Sequence, residues 1–134
     1  MGKVLGIDYG NKRVGLAISD DEKILAVVLG VVERIRENIW EALAEIIRNQ
    51  QIELIVIGLP ISMAGASTPQ TMEVEQFIDE CRSRFEIPVD TMDERLSSIE
   101  ADSLARDMKK YSRDAISALL ILQSYLDSHQ KSIR

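Results

Sequence analysis

Three acidic positions could together act as a set of oxygen donors: Asp8, the pair Asp93-Glu94, and Asp114. Asp8 lies near the end of a short apolar run, Val4-Leu5-Gly6-Ile7. Strand alternation puts Gly6, Asp8 and Gly10 on one face and Leu5, Ile7 and Tyr9 on the other. Closing a hairpin so that Tyr9 opposes Val14 sets Asp8 across from Gly15, Gly6 across from Ala17 and Val4 across from Ser19. A carboxylate over a shelf of glycines leaves room for a hydrated ion or a phosphate to approach the backbone. The same small residues would equally admit a tightly packed helix, with Asp8 merely hydrogen-bonding in the turn.

Asp93-Glu94-Arg95 follows a short strand, and strand carboxyl ends are where α/β folds commonly hold ligands. The plainer alternative is a solvated turn with Arg95 paired to an acid, worth about 0–1 kcal/mol. Asp114 stands two residues after Ser112, in the first turn of a helix, where an acid also stabilises the helix dipole by about 0.3–1 kcal/mol. Taken together, acids on a strand, a strand end and a helix start suit Mg²⁺, which needs few carboxylates and keeps several waters. Two such ions about 4 Å apart can activate a water and stabilise the leaving oxygen in phosphodiester cleavage. The single histidine, His129, argues against a His-based metal site or a Ser-His-Asp triad. The single cysteine, Cys81, excludes an internal disulfide and a Cys-rich zinc site. Any metal must therefore be held by oxygen. Basic residues stand beside the acids: Lys12 and Arg13 after Asp8, Arg95 beside Glu94, and Lys109, Lys110 and Arg113 before Asp114. That arrangement suits a polyanion.

The elements that must position these groups are legible in outline. Residues 3–9, 13–19 and 24–32 read as three strands on short loops, an antiparallel meander. Asn38 opens a helix to about Gln50, with Ile39, Leu43, Ile46 and Ile47 at helical spacing. Residues 54–58 read as a strand buried on both faces. Thr68 caps a helix with Pro69 at its first position and a stripe of Val74, Phe77, Ile78, Cys81 and Phe85. Residues 88–91 give a last short strand. Ser97 with Glu100 opens a helix to about Lys109, and Ser112 caps a C-terminal helix whose Ala115, Ala118, Leu119, Leu122 and Leu126 share a face. The expected fold is α/β: a mixed five-stranded sheet, three antiparallel strands then two parallel, with helices on both sides.

With 134 residues, 46% hydrophobic and 28% charged, the chain has ordinary globular composition and the size of one domain, residues 1–134. It has no apolar run long enough to span a bilayer and no leader pattern at its start, so a soluble cytoplasmic protein without a membrane partner is expected. The net charge of −6 disfavours a wholly basic nucleic-acid-binding surface.

Gly6-Ile7-Asp8-Tyr9-Gly10 with Lys12-Arg13 and Gly15 resembles the YqgF (RuvX) family. So do Gly58-Leu59-Pro60 running to Gly65 and Pro69-Gln70, Asp93-Glu94-Arg95-Leu96, and Asp114-Ala115-Ile116 running to Gln123-Ser124-Tyr125-Leu126. The motifs cover nearly the whole chain in the family's order. The resemblance implies a fold like that of ribonuclease H and the Holliday-junction resolvases. It also implies Mg²⁺- or Mn²⁺-dependent nuclease activity and a part in trimming the 5′ end of precursor 16S ribosomal RNA. Carried over by motif, Asp8, Glu94 and Asp114 would be the catalytic and metal-binding triad, with Asp93 the rival for the middle place. Lys12, Arg13, Arg95, Lys109, Lys110 and Arg113 would contact nucleic acid.

The chain departs from the family between Arg95 and Asp114, where members carry a longer, more basic segment; here it is reduced to Met108-Lys109-Lys110-Tyr111-Ser112. A shorter arm should weaken the grip on substrate, so precursor RNA and branched DNA both stay open, as do monomer and homodimer. Residues 61–68 could form a mobile flap. Trp40 reads as core, Cys81 as a buried small hydrophobe, and the charge run at residues 33–37 as solvated. A non-catalytic module that binds nucleic acid or a ribosome-assembly partner is the second reading. An actin-like ATPase or sugar kinase ranks last, because it needs a second domain for which this chain has no room.

Overall fold

The computed structural model describes residues 2–36, 38–60, 68–93 and 110–133, with side chains as far as His129. The described elements are β1 (Lys3–Tyr9), β2 (Arg13–Ser19), β3 (Ala26–Glu33), α1 (Ile39–Asn49), β4 (Ile52–Leu59), α2 (Pro69–Arg84), β5 (Val89–Asp93) and α3 (Arg113–Ile133). They form one mixed sheet in the order β3-β2-β1-β4-β5. β1 runs antiparallel to β2 and β2 to β3, while β4 lies parallel to β1 and β5 parallel to β4. The helix expected over residues 97–109 lies outside the described residues, as does the flap expected at 61–68 apart from Thr68.

Local chemistry sets most boundaries. The Asn38 side chain accepts from the Trp40 and Glu41 amides at 3.0 and 3.3 Å, and Thr68 accepts from the Thr71 amide at 3.1 Å, so α1 and α2 begin where their caps predict. The Ser112 hydroxyl accepts from the Ala115 amide at 3.2 Å at the start of α3. Three strands differ from expectation. β4 runs from Ile52 to Leu59, not only over residues 54–58, because β1 offers it a parallel ladder from Lys3 onward. β3 begins at Ala26, not Ile24, because the Asp20 carboxylate accepts from the Ile24 and Leu25 amides at 2.8 and 3.3 Å and holds them in the turn. β5 extends to Asp93, two residues further than expected, because β4 offers it a parallel ladder through Leu59.

Two cores follow from strand alternation. Leu5, Ile7, Val14, Leu16, Ile55 and Ile57 pack against Leu43 of α1 and Val74, Phe77, Ile78 and Cys81 of α2. On the opposite face Val4, Ala17 and Val56 pack against Ala118, Ile121, Leu122, Tyr125 and Leu126 of α3. No helix among the described residues is long and apolar enough to cross a membrane.

Candidate active site at the carboxyl end of β1

Asp8 is the penultimate residue of β1, and its partner across the hairpin is Gly15; Gly6 faces Ala17 and Tyr9 faces Val14. The glycine shelf receives α3. A Cβ on Gly15 would lie 1.9 Å from the Asp114 carbonyl oxygen, and one on Gly6 would lie 2.7 Å from Leu122 Cβ. Of the two uses open to these small residues, close packing of a helix is the one that Gly6 and Gly15 serve. Residues paired across an antiparallel ladder share a face, so the Asp8 side chain points to the α3 side. The same close approach sets Asp114 beside it: Asp114 Oδ1 lies 3.1 Å from where a Cβ on Gly10 would stand.

Asp93 lies elsewhere. It ends β5 in register with Leu59, which belongs to the α1/α2 core, whereas the preceding Met92 packs with the α3 core. Alternation therefore turns Asp93 to the face opposite Asp8. Glu94, Arg95 and Lys109 are outside the described residues. Among the described residues, no group of three His, Cys, Asp or Glu side chains is placed to hold a metal.

Four of the expected basic residues surround Asp8 and Asp114 in the chain's path. Lys12 and Arg13 are exposed at the turn into β2, and Arg113 is exposed at the first position of α3. Arg13 Nη1 lies 3.7 Å from Asp114 Oδ2 with half of its side chain exposed, a long pair worth about 0–1 kcal/mol. The Lys110 ammonium sits 5.2 Å from the centre of the Tyr111 ring. Cationic side chains at a helix N-terminus add to the positive end of the dipole and raise the local positive potential.

Other donor types are remote. Cys81 is buried in the α1/α2 core, and burial pushes its thiol up to about 12, so it stays neutral. His129 stacks on Tyr125 toward the far end of α3. The donors described at this end of the sheet are carboxylates, the chemistry that Mg²⁺ and Mn²⁺ prefer.

One residue read as solvated is anchored. Arg34, in the charge run after β3, donates from Nη1 to the carbonyls of Gly10 and Asn11 at 2.9 and 3.0 Å and pairs with Glu73 Oε1 of α2 at 2.8 Å. Its guanidinium carbon lies 4.4 Å from the centre of the Tyr9 ring, which in turn stacks on Phe77. No local pattern marks this arginine, since its partners come from the β1–β2 turn and from α2. Gln123, part of the last family motif, serves the fold. Its side-chain amide accepts from the Ala26 amide and donates to the Ile24 carbonyl, both at 2.9 Å, fastening the start of β3 to α3.

The fold recurs in solved structures. Thermus thermophilus RuvC in complex with a Holliday junction substrate superposes with a TM-score of 0.63 at 14% identity, covering 96% of each chain. The yeast mitochondrial Holliday junction resolvase Ydc2 gives 0.51 at 10% identity, covering 98% of this chain and 82% of that one. These likenesses identify the mixed sheet and its helices as ribonuclease H-like. Sequence relatives are nearer. A protein of Maridesulfovibrio salexigens named "Putative pre-16S rRNA nuclease" is 41% identical over 131 residues, 92% of this chain and 97% of its own. One of the same name from Roseiflexus sp. is 35% identical over 136 residues, 96% of each. The family model described as "RuvX: Holliday junction resolvase" matches residues 2–128, which include the glycine shelf, Asp8 and Asp114. By that match and by relatives of this identity along nearly its whole length, the chain belongs to the RuvX family.

Proposed function

We propose that the chain is a metal-dependent nuclease that hydrolyses phosphodiester bonds of structured nucleic acid, acting in the cytoplasm on the 5′ end of precursor 16S rRNA. The observation that carries this reading is the close contact of Gly15 with the Asp114 backbone, which sets two carboxylates on one face at the carboxyl end of β1. Family membership and the names of the relatives supply the substrate class.

Asp8 and Asp114 would hold Mg²⁺ or Mn²⁺, with Glu94 as the third donor. Glu94 takes the middle place by the family motif, and its rival Asp93 is disfavoured because its register with Leu59 turns it to the face opposite Asp8. When bound, a divalent ion supplies Lewis-acid chemistry for phosphodiester hydrolysis at neutral pH. Lys12, Arg13, Lys110 and Arg113, with Arg95 and Lys109, would hold the flanking phosphates and neutralise charge that develops as the bond breaks. Arg13 is suited to this because its pairing with Asp114 is loose enough to exchange for a phosphate. A DNA junction is the second reading, favoured by the description of the family model.

The test compares a precursor-rRNA fragment carrying its 5′ extension with a four-way DNA junction, each with and without Mg²⁺. Cleavage of the RNA is expected to require the metal. Asp8→Asn should lower it by about 10³-fold, the equivalent of several kcal/mol of transition-state stabilisation, with the melting temperature unchanged. Full activity in Asp8→Asn would sink the assignment, and preference for the junction would move it to DNA.

A further inference from the structure

We infer that Arg34 is a positioning residue that fixes the β1–β2 turn, and with it the phosphate-binding groups Lys12 and Arg13. This rests on the nuclease reading above. The turn presents three successive carbonyls, and Arg34 meets all of them: its guanidinium takes those of Gly10 and Asn11, and its backbone amide donates to Lys12 O at 3.0 Å. The turn's own closure is the Gly10 amide donating to Arg13 O at 3.0 Å. Beneath the turn, Tyr9 is held between the guanidinium and the Phe77 ring, whose centroid lies 4.0 Å away. α2 supplies both Phe77 and the counter-charge Glu73. One planar cation thus ties the end of β3, the turn and α2 together, while Asp8, the residue before Tyr9, projects to the other face.

Arg34 differs from a phosphate contact in where its donors go. Nη1 is committed to two carbonyls and a carboxylate, and Glu73 offsets the charge that a phosphate would need. Lys12 and Arg13 are exposed on the same turn. A fixed turn holds their backbone in one place, so that binding a phosphate orders only the side chains.

Arg34→Ala, Arg34→Lys and Glu73→Gln separate the possibilities through two readouts. Amide hydrogen exchange at Gly10 should quicken tenfold or more in Arg34→Ala, while β4 amides stay protected. Under saturating Mg²⁺, kcat should fall about tenfold, since small misplacements of reacting groups carry penalties of this order, and the salt dependence of KM should be unchanged. Arg34→Lys should not rescue, because an ammonium cannot span the two carbonyls and stack on Tyr9 at once, and Glu73→Gln should give the same pattern more weakly. Unchanged exchange in Arg34→Ala overturns the clamp. Quickened exchange with wild-type kcat overturns its link to the reaction. A salt slope reduced by about one, with partial rescue by lysine, makes Arg34 a phosphate contact instead. A wild type without cleavage removes the nuclease reading, and this role in the reaction with it, while exchange still decides whether the clamp exists.

Discussion

On the sheet face covered by α1 and α2, the inward residues of β1, β2 and β4 are large: Leu5, Ile7, Leu16, Ile55 and Ile57. On the face covered by α3, Val4 and Val56 still pack on the helix, but the positions around the β1–β2 hairpin shrink to Gly6, Gly15 and Ala17, and the helix answers with Ala115 and Ala118. The first face is an ordinary aliphatic core that holds its helices a side chain away. The second brings helix backbone against strand backbone at the end where Asp8 and Asp114 stand. Close approach is a requirement there, because a carboxylate on a helix reaches the ligand space of one on a strand only if nothing bulky separates the two elements.

The comparison breaks most readily at Gly15. Gly15→Ala should destabilise the protein by about 3 kcal/mol, read from the denaturant midpoint, because its methyl would lie 1.9 Å from a backbone oxygen with no flexible side chain to yield. A loss within about 0.5 kcal/mol, the range of surface substitutions, would mean that the start of α3 slides freely and that close approach is not what fixes Asp114. On the other face, Ile57→Val removes one fully buried methylene group and should cost about 1 kcal/mol without altering metal-dependent cleavage. A large loss of cleavage there would erase the distinction between the faces.

The smallest effect concerns the far edge of the α3 face. The Tyr125 hydroxyl donates to Asp90 Oδ2 at 2.7 Å and holds that carboxyl below the usual carboxylate range. Burial, reinforced by Asp90, pushes Tyr125 itself up to about 12. A carboxyl depressed in the folded state contributes stability above its ordinary pKa, and loses it as pH falls through the folded value. Tyr125→Phe should therefore cost about 1 kcal/mol or less at pH 7, since Asp90 is exposed to screening. The gap to wild type should narrow as pH falls below about 4. Denaturant midpoints at the two pH values check it, and a gap independent of pH would assign the loss to packing alone.

The hairpin shows how far local reasoning reaches. Alternation in β1 and the Gly10-Asn11-Lys12 turn together predict the register that pairs Asp8 with Gly15, and the structure has that register. The caps Asn38, Thr68 and Ser112 likewise announce their helices, because a side-chain oxygen two or three residues before an amide needs no distant partner. Local patterns misjudge β3, where Asp20 competes for the Ile24 and Leu25 amides, and β5, whose last residues are strand only because β4 lies beside them. They misread Arg34 for the same reason. A charge run looks solvated until the turn and α2 that engage it are brought near.

What the sequence determined by itself was the kind of chemistry available and the faces of individual elements, since both follow from side-chain type and from periods of two and 3.6 residues. The tertiary structure decided which of those faces meet. It filled the glycine shelf with α3, so that Asp114 arrives beside Asp8, and it turned Asp93 to the opposite side by its register with Leu59. Those outcomes depend on contacts between residues far apart along the chain, whose closure reflects the packing of whole elements and leaves no trace in any short stretch of sequence.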